Sequence, residues 1–178
     1  MAAILAFAGS NSSTSINFKL VKHTISLVQS HDIQTLNMAE HPFPMYSEDY
    51  ENEHGFSDAL MKLKNDIKNS DGIILSVNEH NGNPSAYLKN VLDWLSRLDR
   101  NFLEDTKVLL MSASGGGFGG ARSLEVVNNM LTKFGGEVVS TFSLKGFHDN
   151  YNDDGILDDN LKSEHQKALN TFLDSLKQ

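Results

Sequence analysis

One feature constrains the fold more than any other. Short apolar runs of strand length alternate with longer stretches of helical period along all 178 residues. The runs are "AAILAFA" (2–8), "DIQTLNM" (32–38), "DGIILSV" (71–77), "TKVLLMSAS" (106–114) and "EVVSTFSL" (137–144). Helical spacing of apolar residues fills 16–29, 56–70, 85–98, 119–135 and 158–178. The run at 71–77 is apolar on both faces, as a central parallel strand requires, whereas 32–38 alternates and suits a sheet edge. Ser15 and Ser57 stand at N-cap positions, and Gly135–Gly136 closes the fourth helix. Residues 39–55, with two of the three prolines, read as a long irregular segment. There is no internal repeat, low-complexity tract or interdomain linker, so a single domain over 1–178 is expected. Strand and helix in strict alternation imply a doubly wound parallel sheet with right-handed crossovers.

Ligands of such sheets gather beyond the carboxyl ends of the strands, where the winding direction changes. The loops after the first, third and fourth strands are therefore the ones that carry function. The first reads "GSNSSTSIN" (9–17), with four serines, a threonine and two asparagines but no lysine or arginine. A nucleoside triphosphate loop needs G-x-x-x-x-G-K-[ST], which is absent. A hydroxyl-lined loop that opens a helix suits one terminal phosphate instead. Main-chain N–H groups and the helix dipole supply the positive field, and Ser, Thr and Asn side chains add hydrogen bonds.

The loop after the third strand, "NEHNGNPSAYLKN" (78–90), has a tight-turn signal at Asn81–Gly82. Main-chain groups of Asn78, Glu79 and His80 at its strand tip suit the edge of a flat heteroaromatic ring, with His80 packed on it. The loop after the fourth strand, "SASGGGFGGARS" (112–123), is glycine-rich. Gly115, Gly117 and Gly120 match G-x-G-x-x-G in form, yet they follow the fourth strand and not the first, so a dinucleotide fingerprint is a poor description. Close approach of bare backbone to a ligand describes it better.

Composition removes other classes. The formal net charge is -8 with scattered basic residues, which opposes a nucleic-acid or anionic-membrane partner. Without cysteine, disulfides, thiol redox chemistry and zinc–thiolate sites are excluded. No apolar run approaches the roughly 20 residues of a membrane span. The first residues read as a strand, not a signal peptide, and a cytoplasmic location is the default expectation. "NYNDDGILDDNL" (150–161) imitates a calcium loop, but Leu161 occupies the place of the bidentate Glu. The seven histidines lack metal-site spacing and no G-x-S-x-G elbow occurs. Neither a metal ligand set nor a catalytic side chain is expected.

Taken together, the loops resemble the NADPH-dependent FMN reductase family. The resemblance rests on Gly9, Ser10, Ser15 and Asn17, then on Glu79, Asn81, Gly82, Leu88, Lys89, Asn90, Asp93, Trp94, Ser96 and Arg97. Ser114, Gly116, Gly119, Gly120 and Arg122 continue it, and "FPMYSEDYE" (43–51) resembles the family's segment after the second strand. Ser12 stands where the family often has Arg, His80 where it has Tyr, and Ser85–Ala86 where it has Pro-Gly. The resemblance implies a flavodoxin-like three-layer sandwich with a five-stranded parallel sheet of order 2-1-3-4-5. It implies FMN held by Ser10, Ser12, Ser15, Ile16, Asn17, Asn78, Glu79, His80, Asn81, Gly82, Ser114, Gly115, Gly116, Gly117, Gly119 and Gly120. It further implies NADPH or NADH as electron donor, and ping-pong transfer of hydride to quinone, azo, flavin or similar small acceptors. A flavodoxin-like electron carrier or an FMN-binding regulatory module is the alternative. A homodimer or homotetramer is implied as well. The helix at 85–98 carries more apolar width than one sheet-facing stripe needs, which suits a partner subunit.

Overall fold

The computed structural model describes residues 1–176. The strands are β1 (Ala3–Ala8), β2 (Asp32–Leu36), β3 (Gly72–Val77), β4 (Glu79–His80), β5 (Asn83–Pro84), β6 (Lys107–Ala113), β7 (Glu137–Leu144), β8 (Tyr151–Asn152) and β9 (Gly155–Ile156). The helices are α1 (Ile16–Ser26), α2 (Glu48–His54), α3 (Asp58–Lys68), α4 (Ala86–Leu98), α5 (Ala121–Lys133), α6 (Phe147–Asn150) and α7 (Asp159–Ser175). Five strands form one sheet in the order β2-β1-β3-β6-β7, every neighbouring pair parallel. Counting only these five, that is the expected 2-1-3-4-5 arrangement. The other four strands make two short hairpins, β4–β5 and β8–β9.

The period-2 alternation of the strands divides the core into two layers. Leu5, Phe7, Ile73, Leu75, Val108 and Leu110 point toward α3, α4 and α5. Ile4, Ala6, Ile74, Leu109 and Met111 point toward α1 and α7. Both faces of β1, β3 and β6 are buried, so those strands read as continuous apolar runs. β2 lies at the sheet edge with Gln34 and Thr35 exposed, which is why its sequence alternates.

The expected irregular segment 39–55 contains two pieces of helix: a 3-10 turn at Met38–Glu40 and α2. No residue of α2 is buried, so it leaves no apolar periodicity to read. It is held by Ser47, whose Oγ accepts from Tyr50 N–H, and by three acidic residues in its first turn. Arg97 adds a two-pronged ion pair with Glu51, at 2.9 and 3.1 Å. The last helix was expected to reach residue 178; its final two positions lie outside the described residues.

The surplus apolar face of α4 is covered from within the chain. Trp94 is buried, donates from Nε1 to Pro44 O at 2.8 Å, and meets Tyr46, Tyr50 and Phe56 edge-on. Asn90 clamps the same strap: its Nδ2 donates to Pro44 O and its Oδ1 accepts from Tyr46 N–H. The apolar width of α4 therefore answers to residues 43–56 and does not by itself call for a second subunit.

The calcium-like stretch 150–161 folds as the β8–β9 hairpin followed by the start of α7. Asn152 Oδ1 accepts from Asp154 N–H inside the turn, and Asp158 caps α7. Gly155 has φ +112° and lies against the His23 ring, where a Cβ would collide.

Candidate functional site

The carboxyl ends of β1, β3 and β6 open into a cavity of about 680 Å³. Ser10, Ser12, Ser15, Ile16 and Asn17 line it from the first loop, Asn78, Glu79 and His80 from the second, and Ser114 and Gly115 from the third. Lysine and arginine are absent from this lining. A second concavity of about 750 Å³ runs along β7 between α5 and α7. It lies away from the three strand tips, and none of the expected site residues lines it.

The first loop is built by its own hydroxyls. Ser10 Oγ accepts from Ser12 N–H, and Ser12 Oγ accepts from Thr14 N–H. Ser15 N–H donates to Ser12 O. Ser15 then caps α1, its Oγ accepting from Phe18 N–H at 3.2 Å. Lys19 N–H donates to Ser15 O, which leaves the N–H groups of Ile16 and Asn17 without an acceptor in the helix, as its geometry requires. They open onto the cavity at the positive end of the α1 dipole. Such an end attracts an anion without any cationic side chain.

Asn17 has another task in its side chain. It is 1 % exposed, and its Oδ1 accepts from Ala113 N–H at 2.8 Å and from Ser76 Oγ at 2.8 Å. Its Nδ2 donates to Ala113 O at 3.1 Å. The amide thus ties α1 to β3 and β6 and pins the ends of three elements around the cavity.

The second loop is a hairpin whose turn residues, Asn81 (φ +54°) and Gly82 (φ +77°), are both left-handed. That is the turn type for which Asn-Gly is favoured. Asn81 and Gly82 form the tip, Gly82 facing Arg122, and they lie outside the cavity lining. The first turn of α5 clasps the other end. Ser123 N–H donates to Glu79 Oε2 at 3.1 Å, and Ser123 Oγ donates to Asn78 O at 2.8 Å. The Glu79 carboxylate is thereby satisfied at the start of a helix. His80 is exposed on the rim, with Nε2 3.1 Å from Asn78 Nδ2.

The glycines of the third loop separate by role. Only Gly115 lines the cavity. Gly116 and Gly117 are exposed and have room for a side chain. Gly119 (φ +61°) presses on Ser143 and on the main chain of Leu144 and Lys145, and its carbonyl accepts from Ser112 Oγ. Gly120 (φ +82°) packs on Ser112 and starts α5. These last two are glycines because β6 and β7 leave no space and the backbone is left-handed, and they stand outside the cavity lining.

Sequence reasoning missed Asn11, Thr14, Ser85, Ala86, Tyr87 and Ala113 as lining residues. Asn11 and Thr14 belong to the same hydroxyl loop and shared its signal. Ser85 shows only as the first residue of the helix at 85–98, in the place of the family's Pro; the structure makes it the N-cap of α4. Tyr87 has no local signal: its phenol is turned inward to donate to His41 O at 2.7 Å, and burial raises its pKa above the ordinary value.

Fold and site define a flavodoxin-like α/β domain with a hydroxyl-lined cavity, free of lysine and arginine, at its switch point. The model of the family described as NADPH-dependent FMN reductase matches residues 2–149. The chain belongs to that family. A quinone reductase of Escherichia coli (strain K12) is 38% identical over 79 residues, 44% of this chain and 42% of the relative. The match thus spans less than half the length of that relative. An NADPH:quinone oxidoreductase of Arabidopsis thaliana is 32% identical over 124 residues, 67% of this chain and 61% of the relative. Among solved structures, FerB, a flavoenzyme NAD(P)H:(acceptor) oxidoreductase from Paracoccus denitrificans, superposes with a TM-score of 0.81 at 22% identity. That likeness covers 99% of this chain and 98% of the other and is one of fold.

Proposed function

We propose that the chain is an FMN-dependent NAD(P)H oxidoreductase acting on a small acceptor such as a quinone, an azo compound or free flavin. The observation that carries this reading is the cradle. The free N–H groups of Ile16 and Asn17, the hydroxyls of Ser10, Ser12 and Ser15 and the α1 dipole converge on one wall of the cavity. That donor set fits a single phosphate with no lysine present. When bound, FMN supplies the two-electron relay between nicotinamide and acceptor, which asks no acid, thiol or metal of the protein.

The chain's own part is to bind and to tune. The Asn78–His80 main chain and the Ser114–Gly115 main chain face each other across the cavity. Ser114 N–H donates to Leu144 O; the N–H of Gly115 is the one that suits negative charge on a ring edge. His80 shields the ring from the rim, so His80→Phe is expected to lower turnover less than tenfold, about 1.4 kcal/mol of barrier. A cytoplasmic location and a two-fold homodimer or homotetramer belong to the same reading and rest on the resemblance.

The test is a pair of titrations of flavin-free protein. FMN should bind more tightly than riboflavin. Joint replacement of Ser10 and Ser15 by Ala should remove that preference, at about 1.5–3 kcal/mol per hydrogen bond to a charged acceptor. Loss of both ligands in equal measure refutes the phosphate assignment. Steady-state oxidation of NADPH and of NADH with menadione then separates a reductase from a carrier or a regulatory module, neither of which turns over.

A further inference from the structure

Ser85 is buried and makes two hydrogen bonds with one hydroxyl. Its Oγ accepts from Leu88 N–H at 3.0 Å, capping α4, and donates to Gly9 O at 2.8 Å. With its proton and an acceptor site both engaged, it has little left to offer a ligand directly. Its effect passes through Gly9.

Gly9 is held on three sides. Its N–H donates to Ser76 O at 2.9 Å, extending the β1–β3 ladder. Its carbonyl is held by Ser85. Its Cα lies against Leu88, where an added Cβ would come within 2.8 Å of Cδ2. The Gly9–Ser10 peptide is trans, since the described chain has no cis bond. In a trans peptide the N–H points opposite to the preceding C=O. Holding Gly9 O toward α4 therefore turns the Ser10 N–H away from α4. That N–H has no acceptor among the described residues, and Ser10 lines the cradle.

We propose that Ser85 is a positioning residue for the cofactor phosphate: it locks the Gly9–Ser10 peptide so that the Ser10 N–H joins those of Ile16 and Asn17 as a phosphate donor. This rests on the FMN reading above. The resemblance puts Pro at this position, which has no side-chain donor, so the lock is a property of this chain's own sequence. It also couples the cradle to α4, whose Ala86 and Tyr87 line the same cavity.

Ser85→Gly separates the two tasks, because Gly is a tolerated N-cap but has no hydroxyl. FMN and riboflavin are titrated against flavin-free wild type, Ser85→Gly and Ser85→Thr, with thermal midpoints recorded alongside. The expected result is FMN weakened about tenfold by Ser85→Gly, as for the loss of one donor to a charged acceptor. Riboflavin should be unchanged, and Ser85→Thr should restore FMN. Parallel weakening of both ligands, or unchanged FMN, overturns the proposal. A second measurement needs no variant: in wild type, the Ser10 amide resonance should move on FMN addition and stay still with riboflavin. An unmoved Ser10 amide overturns the proposal even if Ser85→Gly fails to fold. Wild type that does not favour FMN over riboflavin refutes the FMN reading itself, a result distinct from either of these.

Discussion

Replacing Asn17 by Ala should cost this protein more than its single small side chain suggests. The amide satisfies three groups at once: the N–H and C=O of Ala113 and the Ser76 hydroxyl. Ala113 and Ser76 are 2 % and 0 % exposed, Ala113 at the cavity wall. Orphaning a buried polar group costs about 1–3 kcal/mol, so the two main-chain groups of Ala113 alone bring ~2–6 kcal/mol. Ser76→Ala makes the contrast. It removes the hydroxyl and leaves Asn17 Oδ1 still accepting from Ala113, so nothing else is stranded and about 1 kcal/mol is expected. Against a typical total of roughly 5–15 kcal/mol, the first change is severe and the second mild. Urea unfolding of the flavin-free protein measures both, and the Asn17→Ala thermal midpoint should fall by roughly 5–20 °C. An Asn17→Ala loss no larger than that of Ser76→Ala would show that the amide is not the clamp of the three elements.

Three further outcomes follow from the same contacts. Burial, reinforced by neighbouring His23, pushes the His165 imidazole down to about 4, against about 6.5 when unfolded. The unfolded chain therefore binds a proton that the folded one excludes. Stability should be full above pH 6.5 and fall by about 3 kcal/mol as pH drops to 4; a His165→Gln variant that keeps the same slope in urea titrations would refute the assignment. Gly119→Ala should destabilise by at least ~1 kcal/mol from its left-handed backbone alone, whereas Gly116→Ala, with its nearest neighbour at 3.8 Å, should stay within about 0.5 kcal/mol; thermal melts in the reverse order would contradict the roles given to these glycines. Trp94→Phe removes the donor to Pro44 O and should cost about 1–2 kcal/mol while speeding protease cleavage within residues 39–56; unchanged cleavage would mean that Trp94 does not hold the strap.

The five sheet strands and the helices packed on them were legible because each buries a stripe or a face, and burial writes a period into the sequence. β3 could be read as central from "DGIILSV" alone, and the β4–β5 turn from Asn81–Gly82. The hydroxyl loop at 9–17 was legible as part of the cavity wall for a local reason: a strand tip, a cap and a helix start lie within a few residues of one another. α2 was not legible, since a helix that buries nothing has no period. Trp94 was misleading, because an apolar surplus on a helix does not say whether its own chain or a partner covers it; only the course of residues 43–56 decides that. Asn17 and Ser15 sit in one loop and look equivalent in sequence, yet one side chain faces the core and the other caps the helix. The two kinds of glycine in 115–120 are equally alike on paper. Which of them meets β7 and which meets the cavity depends on strands more than 20 residues away in the chain. Ser85 and Gly9 are 76 residues apart, and a hydrogen bond across that distance leaves no mark on either local sequence. Local propensity and periodicity determined the elements and singled out the loops at the strand tips; long-range contact determined which of their atoms are left free.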